Sequence, residues 1–66
     1  MDVRVNGRAD TVNPGTTVLE YLRANSLEPA RVAVEVNRSI VKRERFGETT
    51  LNEGDLVEIV RFVGGG

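Results

Sequence analysis

The sequence contains no cysteine and no histidine. Without cysteine there is no disulfide framework, no iron–sulfur cluster and no redox thiol. Without histidine there is no Ser–His or Cys–His catalysis on this chain and no imidazole ligand for zinc. One tyrosine, Tyr21, and one lysine, Lys42, are present. An enzyme built from this set would have to work with carboxylates, hydroxyls, a single amine and the chain ends. The composition therefore describes a protein that binds something, or that another protein acts on, and not an enzyme.

Long apolar runs are also missing. The longest is Val32-Ala33-Val34, far short of a membrane span. The start, Met1-Asp2-Val3-Arg4-Val5, alternates charge with apolar residues, unlike a secretory signal. A cytoplasmic protein with no membrane partner is expected. Charge of one sign is lacking too: 9 Lys+Arg stand against 10 Asp+Glu, a net −1. A general nucleic-acid binder needs a basic face, so no nucleic-acid partner is expected. At 66 residues the chain is one small domain, expected to be monomeric by itself. Its core is minimal, because a domain of this size buries only about 60% of the surface its unfolded chain exposes.

What is present is organised. Val3 and Val5 alternate with Asp2, Arg4 and Asn6, the pattern of a half-buried strand. Asn6-Gly7 is a strong hairpin signal, because both central residues of a type I′ turn need positive φ. A second strand over residues 8–12 returns antiparallel, and Pro14-Gly15 ends it. Thr17-Val18-Leu19-Glu20 has capping-box spacing and predicts a helix over Val18–Ala24, with Val18, Leu19 and Leu22 as its apolar stripe. Asn25-Ser26 forms the exit, Leu27 packs beneath it, and Pro29 prevents continuation. Residues 31–37 alternate cleanly and put Val32, Val34 and Val36 on one face as a third strand. Asn37-Arg38 turns the chain into a short fourth strand, Ser39–Val41. Residues 42–48 read as a loop or a single helical turn, with Phe46 as a core plug beneath it and Lys42-Arg43-Glu44-Arg45 as a solvated basic stretch. After the Glu53-Gly54 turn, residues 55–63 form the last and longest strand, which runs into Gly64-Gly65-Gly66. The simplest arrangement is an α+β fold: a mixed sheet of four to five strands wrapped over one helix, with the last strand beside the first. Residues 1–63 make the domain and residues 64–66 a tail.

The tail is the sharpest feature. With glycine at about 7% of average sequence, three in a row at a chosen place arise by chance roughly 3 times in 10,000. A frayed or appended terminus is the plain reading. The functional one follows from glycine's lack of a side chain and its conformational freedom. Three extended residues reach about 10 Å and can thread a channel that any Cβ would block. Such a tail delivers the Gly66 carboxylate to another protein's active site. A carboxylate must be activated before it reacts; attack on ATP gives an acyl-adenylate that a sulfur or nitrogen nucleophile opens. This chain has no phosphate-cradling loop, so the activation belongs to a partner.

Period two on the last strand puts Val57 and Ile59 toward the helix and Glu58, Val60 and Phe62 on the opposite face. Val60 and Phe62 are either ordinary sheet-face residues partly covered by neighbours or a docking patch beside the reactive end. Glu53, Asp55 and Glu58 make an acidic patch that either guides docking or is simply solvated. Scattered carboxylates at turns offer no metal site.

These elements resemble the ubiquitin-like β-grasp fold and, more closely, the ThiS family, the sulfur carriers of thiamine biosynthesis. Val32-Ala33-Val34-Glu35-Val36-Asn37 with Ile40-Val41, then Glu53-Gly54-Asp55-Leu56-Val57-Glu58-Ile59-Val60 and Phe62-Val63-Gly64-Gly65-Gly66, carry the resemblance, which spans nearly the whole chain. One departure is Lys42, where many members have proline. The resemblance implies a carrier that binds no cofactor itself. An E1-like adenylyltransferase (ThiF-like) would adenylate Gly66 with ATP and magnesium, and a persulfide donor would convert it to a thiocarboxylate. That group would pass sulfur to a ThiG-like thiazole synthase. Gly66 would carry the sulfur, Gly65 and Gly64 would thread the partner's active site, and Val60 and Phe62 would dock. Carriers for molybdopterin or tRNA thiolation share the tail and its chemistry. A non-covalent β-grasp interaction module is a reading of another class, with no need for terminal glycines.

Overall fold

The computed structural model describes residues 1–62. Strand β1 (Asp2–Val5) and strand β2 (Arg8–Thr11) form an antiparallel hairpin across Asn6 (φ 52°) and Gly7 (φ 82°), the left-handed pair of a type I′ turn. Helix α1 (Val18–Ala24) follows. A 3₁₀ turn, Pro29–Arg31, leads into β3 (Val32–Val36), which pairs antiparallel with β4 (Ser39–Val41). The β3–β4 turn repeats the first: Asn37 and Arg38 lie at φ 52° and 70°. A second 3₁₀ segment, Arg43–Glu48, precedes β5 (Leu56–Arg61). The sheet order is β2-β1-β5-β3-β4, with β5 parallel to β1 and antiparallel to β3. This is the mixed sheet over one helix that the sequence predicts, with the last strand beside the first. The predicted last strand is trimmed: it begins at Leu56, and Val63 lies outside the described residues.

The helix is specified at both ends. Thr17 Oγ1 accepts from Glu20 N–H at 3.1 Å, and Thr17 N–H donates to Glu20 Oε1 at 2.9 Å, closing the capping box. At the other end Ser26 turns left-handed at φ 58°. Leu27 N–H then reaches back to Leu22 O at 2.8 Å, and Ser26 N–H to Arg23 O at 3.1 Å. These are the two bonds of a Schellman exit, made here with serine where glycine is usual.

One face of the sheet and one face of α1 close the core. Val3, Val18, Tyr21, Leu22, Val32, Val34, Phe46, Leu51 and Val57 are buried. Phe46 plugs the 3₁₀ segment as expected. Two residues correct the sequence reading. The stripe of α1 that meets the sheet is Val18, Tyr21 and Leu22, and Leu19 is only half-buried. Leu51, in a polar stretch, is 1% exposed because its segment is stitched to the helix start. Val18 N–H donates to Thr49 O and Leu51 N–H to Thr16 O, both at 2.8 Å.

Candidate functional site: the strand that leads to the glycines

Strand β5 is the central strand, and an asparagine braces each of its edges. Both asparagines sit at the first left-handed position of a type I′ turn, where the backbone leaves the sheet and the side chain can take its place. On the β1 side, the Asn6 side chain continues the ladder: Ile59 N–H donates to Asn6 Oδ1 at 2.8 Å, and Asn6 Nδ2 donates to Ile59 O at 3.1 Å. On the β3 side, Asn37 N–H donates to Leu56 O at 2.7 Å, and Leu56 N–H donates to Asn37 Oδ1 at 3.0 Å. The last described residue is still held, because Phe62 N–H donates to Arg31 O at 2.9 Å. The base of the tail is thus anchored up to Phe62.

The turn before β5 is fixed by Asp55, which is 8% exposed. Its carboxylate accepts from Asn37 Nδ2 at 3.0 Å and from Asn52 N–H at 2.8 Å. Asp55 therefore does not belong to an acidic docking patch. Its charge is spent inside the fold, satisfied by bonds that a buried carboxylate requires. Glu53 is also engaged, its Oε1 accepting from Asp2 N–H at 3.0 Å. Of the three acids grouped in the sequence reading, only Glu58 has no hydrogen-bond partner among the described residues.

Val57 is buried and Ile59 half-buried on the helix side, while Val60 and Phe62 are 60% and 58% exposed on the other face. The sequence-predicted docking pair is therefore open to a partner. Two residues that sequence reasoning missed join this face, Ile40 on β4 and Leu56 on β5, at 76% and 44% exposure. Their signal was available in the alternation of residues 39–41 and 55–61. Gly66, expected to carry the sulfur, and Gly64 and Gly65, expected to thread a partner, lie outside the described residues.

Among the described residues, nothing else forms a reactive centre. Tyr21 lies against Asp10, its hydroxyl donating to Asp10 Oδ2 at 2.6 Å. Burial, then that bond and the adjacent carboxylate charge, push the phenol up to about 12, so Tyr21 stays neutral and is no nucleophile. Among the described residues no cluster of acids could hold a metal ion, and no helix is long and apolar enough to cross a membrane. An open groove between the end of α1 and the Arg43–Glu48 segment includes no residue of β5.

Comparison with known proteins agrees with this architecture. The model of the ThiS family matches residues 3–66. The chain is 44% identical over 50 residues to the sulfur carrier protein ThiS of Bacillus subtilis, covering 76% of each. It is 38% identical, over its full length, to a thiazole synthase of Magnetococcus marinus, and 35% to one of Paramagnetospirillum magneticum. The chain spans only 20% of the length of each of these two relatives. Among solved structures, the ThiS thiamine biosynthesis protein of Geobacter metallireducens superposes with a TM-score of 0.85 at 39% identity, covering all of both chains. With a family match over nearly every residue and this fold beneath it, the chain belongs to the ThiS family.

Proposed function

We propose that this chain is a sulfur carrier for thiamine biosynthesis, with the Gly66 carboxylate as the carrying group. The observation that bears most weight is the family match through residue 66, which takes in all three terminal glycines of a chain without cysteine. A carrier lacking a thiol must hold sulfur on some other group, and a terminal acyl carbon serves. An E1-like partner would direct the Gly66 carboxylate onto the α-phosphorus of ATP, with magnesium on the phosphates and pyrophosphate leaving. The terminal sulfur of a persulfide donor would then attack the acyl carbon as AMP departs, giving an acyl disulfide. A second thiol would cleave its S–S bond, supplying two electrons, becoming disulfide-bonded to the donor sulfur and leaving a thiocarboxylate on Gly66. A thiazole synthase would accept that sulfur. Two relatives named thiazole synthase carry a segment like this chain within a longer polypeptide, which supports a partnership with such a synthase. The chain's own contribution is mechanical: β5 anchors the tail's base, Val60 and Phe62 dock, and Gly64 and Gly65 fit a channel closed to side chains. It acts as a substrate of its partners rather than as an enzyme, in the cytoplasm.

Reconstitution tests this. The chain, an E1-like adenylyltransferase of the same genome, ATP and magnesium should release pyrophosphate in proportion to the chain, and deletion of Gly66 should abolish the release. Release that persists without Gly66 contradicts the assignment.

A further inference from the structure

The sheet face away from α1 carries an unresolved electrostatic conflict. Glu35 on β3 and Glu58 on β5 are registered directly opposite each other. The bonds from Asn37 N–H to Leu56 O and from Phe62 N–H to Arg31 O set the parity of the ladder. Glu35 and Glu58 are therefore a hydrogen-bonded pair, with Cα atoms about 5.5 Å apart. Like charges placed so are destabilising. Neither carboxylate has an ion-pair partner among the described residues, where the single pair is Arg45–Glu48. Arg4 and Arg38 line a shallow cleft with Glu58, yet Arg4 Nη1 donates to Gly7 O at 3.0 Å instead. Around the two acids stand all the exposed large apolar residues among those described: Ile40 opposite Glu35, Leu56 and Val60 two positions either side of Glu58, and Phe62 beyond. An apolar rim on β4 and β5, bordering two facing acids that have no ion-pair partner among the described residues, is complementary to an apolar surface carrying one cation.

We propose that this face receives a thiazole synthase surface presenting one arginine or lysine between the Glu35 and Glu58 carboxylates. The proposal rests on the sulfur-carrier reading, and the synthase is chosen because two long relatives of that name carry this segment on their own chain. The partner's cation relieves a repulsion that the free chain retains, so stability and binding should move in opposite directions when the pair is altered.

The test is the affinity and association rate of the full chain for the thiazole synthase of the same genome, at low and moderate salt. Glu58→Gln should weaken binding about tenfold, mostly through the association rate, and flatten its salt dependence. Glu58→Lys gives Glu35 an opposite partner and should raise Tm by a few degrees. It should also weaken synthase binding about a hundredfold by setting cation against cation. A merely structural role for Glu58 cannot raise stability while removing binding. Phe62→Ala reports on the docking face itself. If Phe62→Ala weakens binding and Glu58→Lys does not, the docking face stands and the cation proposal is overturned. If Glu58→Lys blocks adenylation but leaves synthase affinity intact, the cation belongs to the activating enzyme and the proposal is again overturned. A chain that never binds the synthase removes the carrier-to-synthase reading along with it.

Discussion

Asn6 and Ser26 occupy the same left-handed region of backbone space, yet replacement by glycine should affect them oppositely. Asn6 is there for its side chain, which makes two bonds to Ile59. Asn6→Gly keeps the turn and loses the brace, at a cost of about 1–2 kcal/mol given the partial exposure of those bonds. Hydrogen exchange at the Ile59 amide should accelerate, and unchanged protection there would show that the brace holds nothing. Ser26 makes no side-chain bond among those described and pays the strain of a Cβ at φ 58°. Ser26→Gly should stabilise by about 0.5–1 kcal/mol, after allowing for glycine's extra freedom in the unfolded chain. That is a rise of several degrees in Tm for a domain of this size. The turn at Asn6-Gly7 was legible because the dipeptide itself signals it. The bonds from Asn6 to Ile59 were not, since they join residues 53 positions apart. Asp55 was misread for a related reason: an acid beside a turn looks solvated until Asn37, 18 positions away, is seen to reach it.

At the level of elements, α1 is tied to the first hairpin by the Tyr21–Asp10 bond. The Tyr21 phenol is raised from 10.0 to about 12 in the folded chain, so folding favours its neutral form. The stability this supplies is fully present below the unfolded value near 10 and is lost as pH climbs through the folded value near 12. Denaturant melts across that window should show a steeper alkaline decline in the parent than in Tyr21→Phe. Tyr21→Phe should itself cost about 1 kcal/mol at neutral pH, where the parent hydrogen bond is intact. Identical alkaline slopes would place the loss elsewhere. Element boundaries were readable where short-range chemistry sets them: the capping box and exit serine mark Val18–Ala24, and alternation marks β3 and β4. The helix face was misjudged because Tyr21 combines an apolar ring with a polar tip and was passed over in favour of Leu19. Leu51 escaped notice because it lies among Thr49, Thr50 and Asn52, with no periodicity to mark it. Its placement follows from long-range bonds of its segment, Leu51 N–H to Thr16 O and Val18 N–H to Thr49 O.

Taken whole, the molecule separates stability from chemistry. Its core is small, worth about 3–5 kcal/mol net in a chain with no disulfide. Val34 is 1% exposed at the middle of that core. Val34→Asp should unfold the chain, because an unpaired buried carboxylate exceeds the margin. A circular dichroism melt matching the parent would contradict the packing described. Deletion of Gly66 should instead leave Tm unchanged while removing activity, and a large fall in Tm would show the terminus to be structural. Fold class and family were legible because hairpin, helix cap, alternation and triglycine all agree with one arrangement. The exposed apolar face was legible only in half, as Val60 and Phe62. The Glu35–Glu58 opposition depends on strand register, which a single strand's pattern does not carry.

The most direct test of the account is the intact mass of the chain purified from its own cells. The account predicts a fraction heavier by one sulfur-for-oxygen exchange, localised by fragmentation to Gly66. A chain found only with a free carboxylate, even after incubation with an E1-like enzyme, ATP and a persulfide donor, would contradict it.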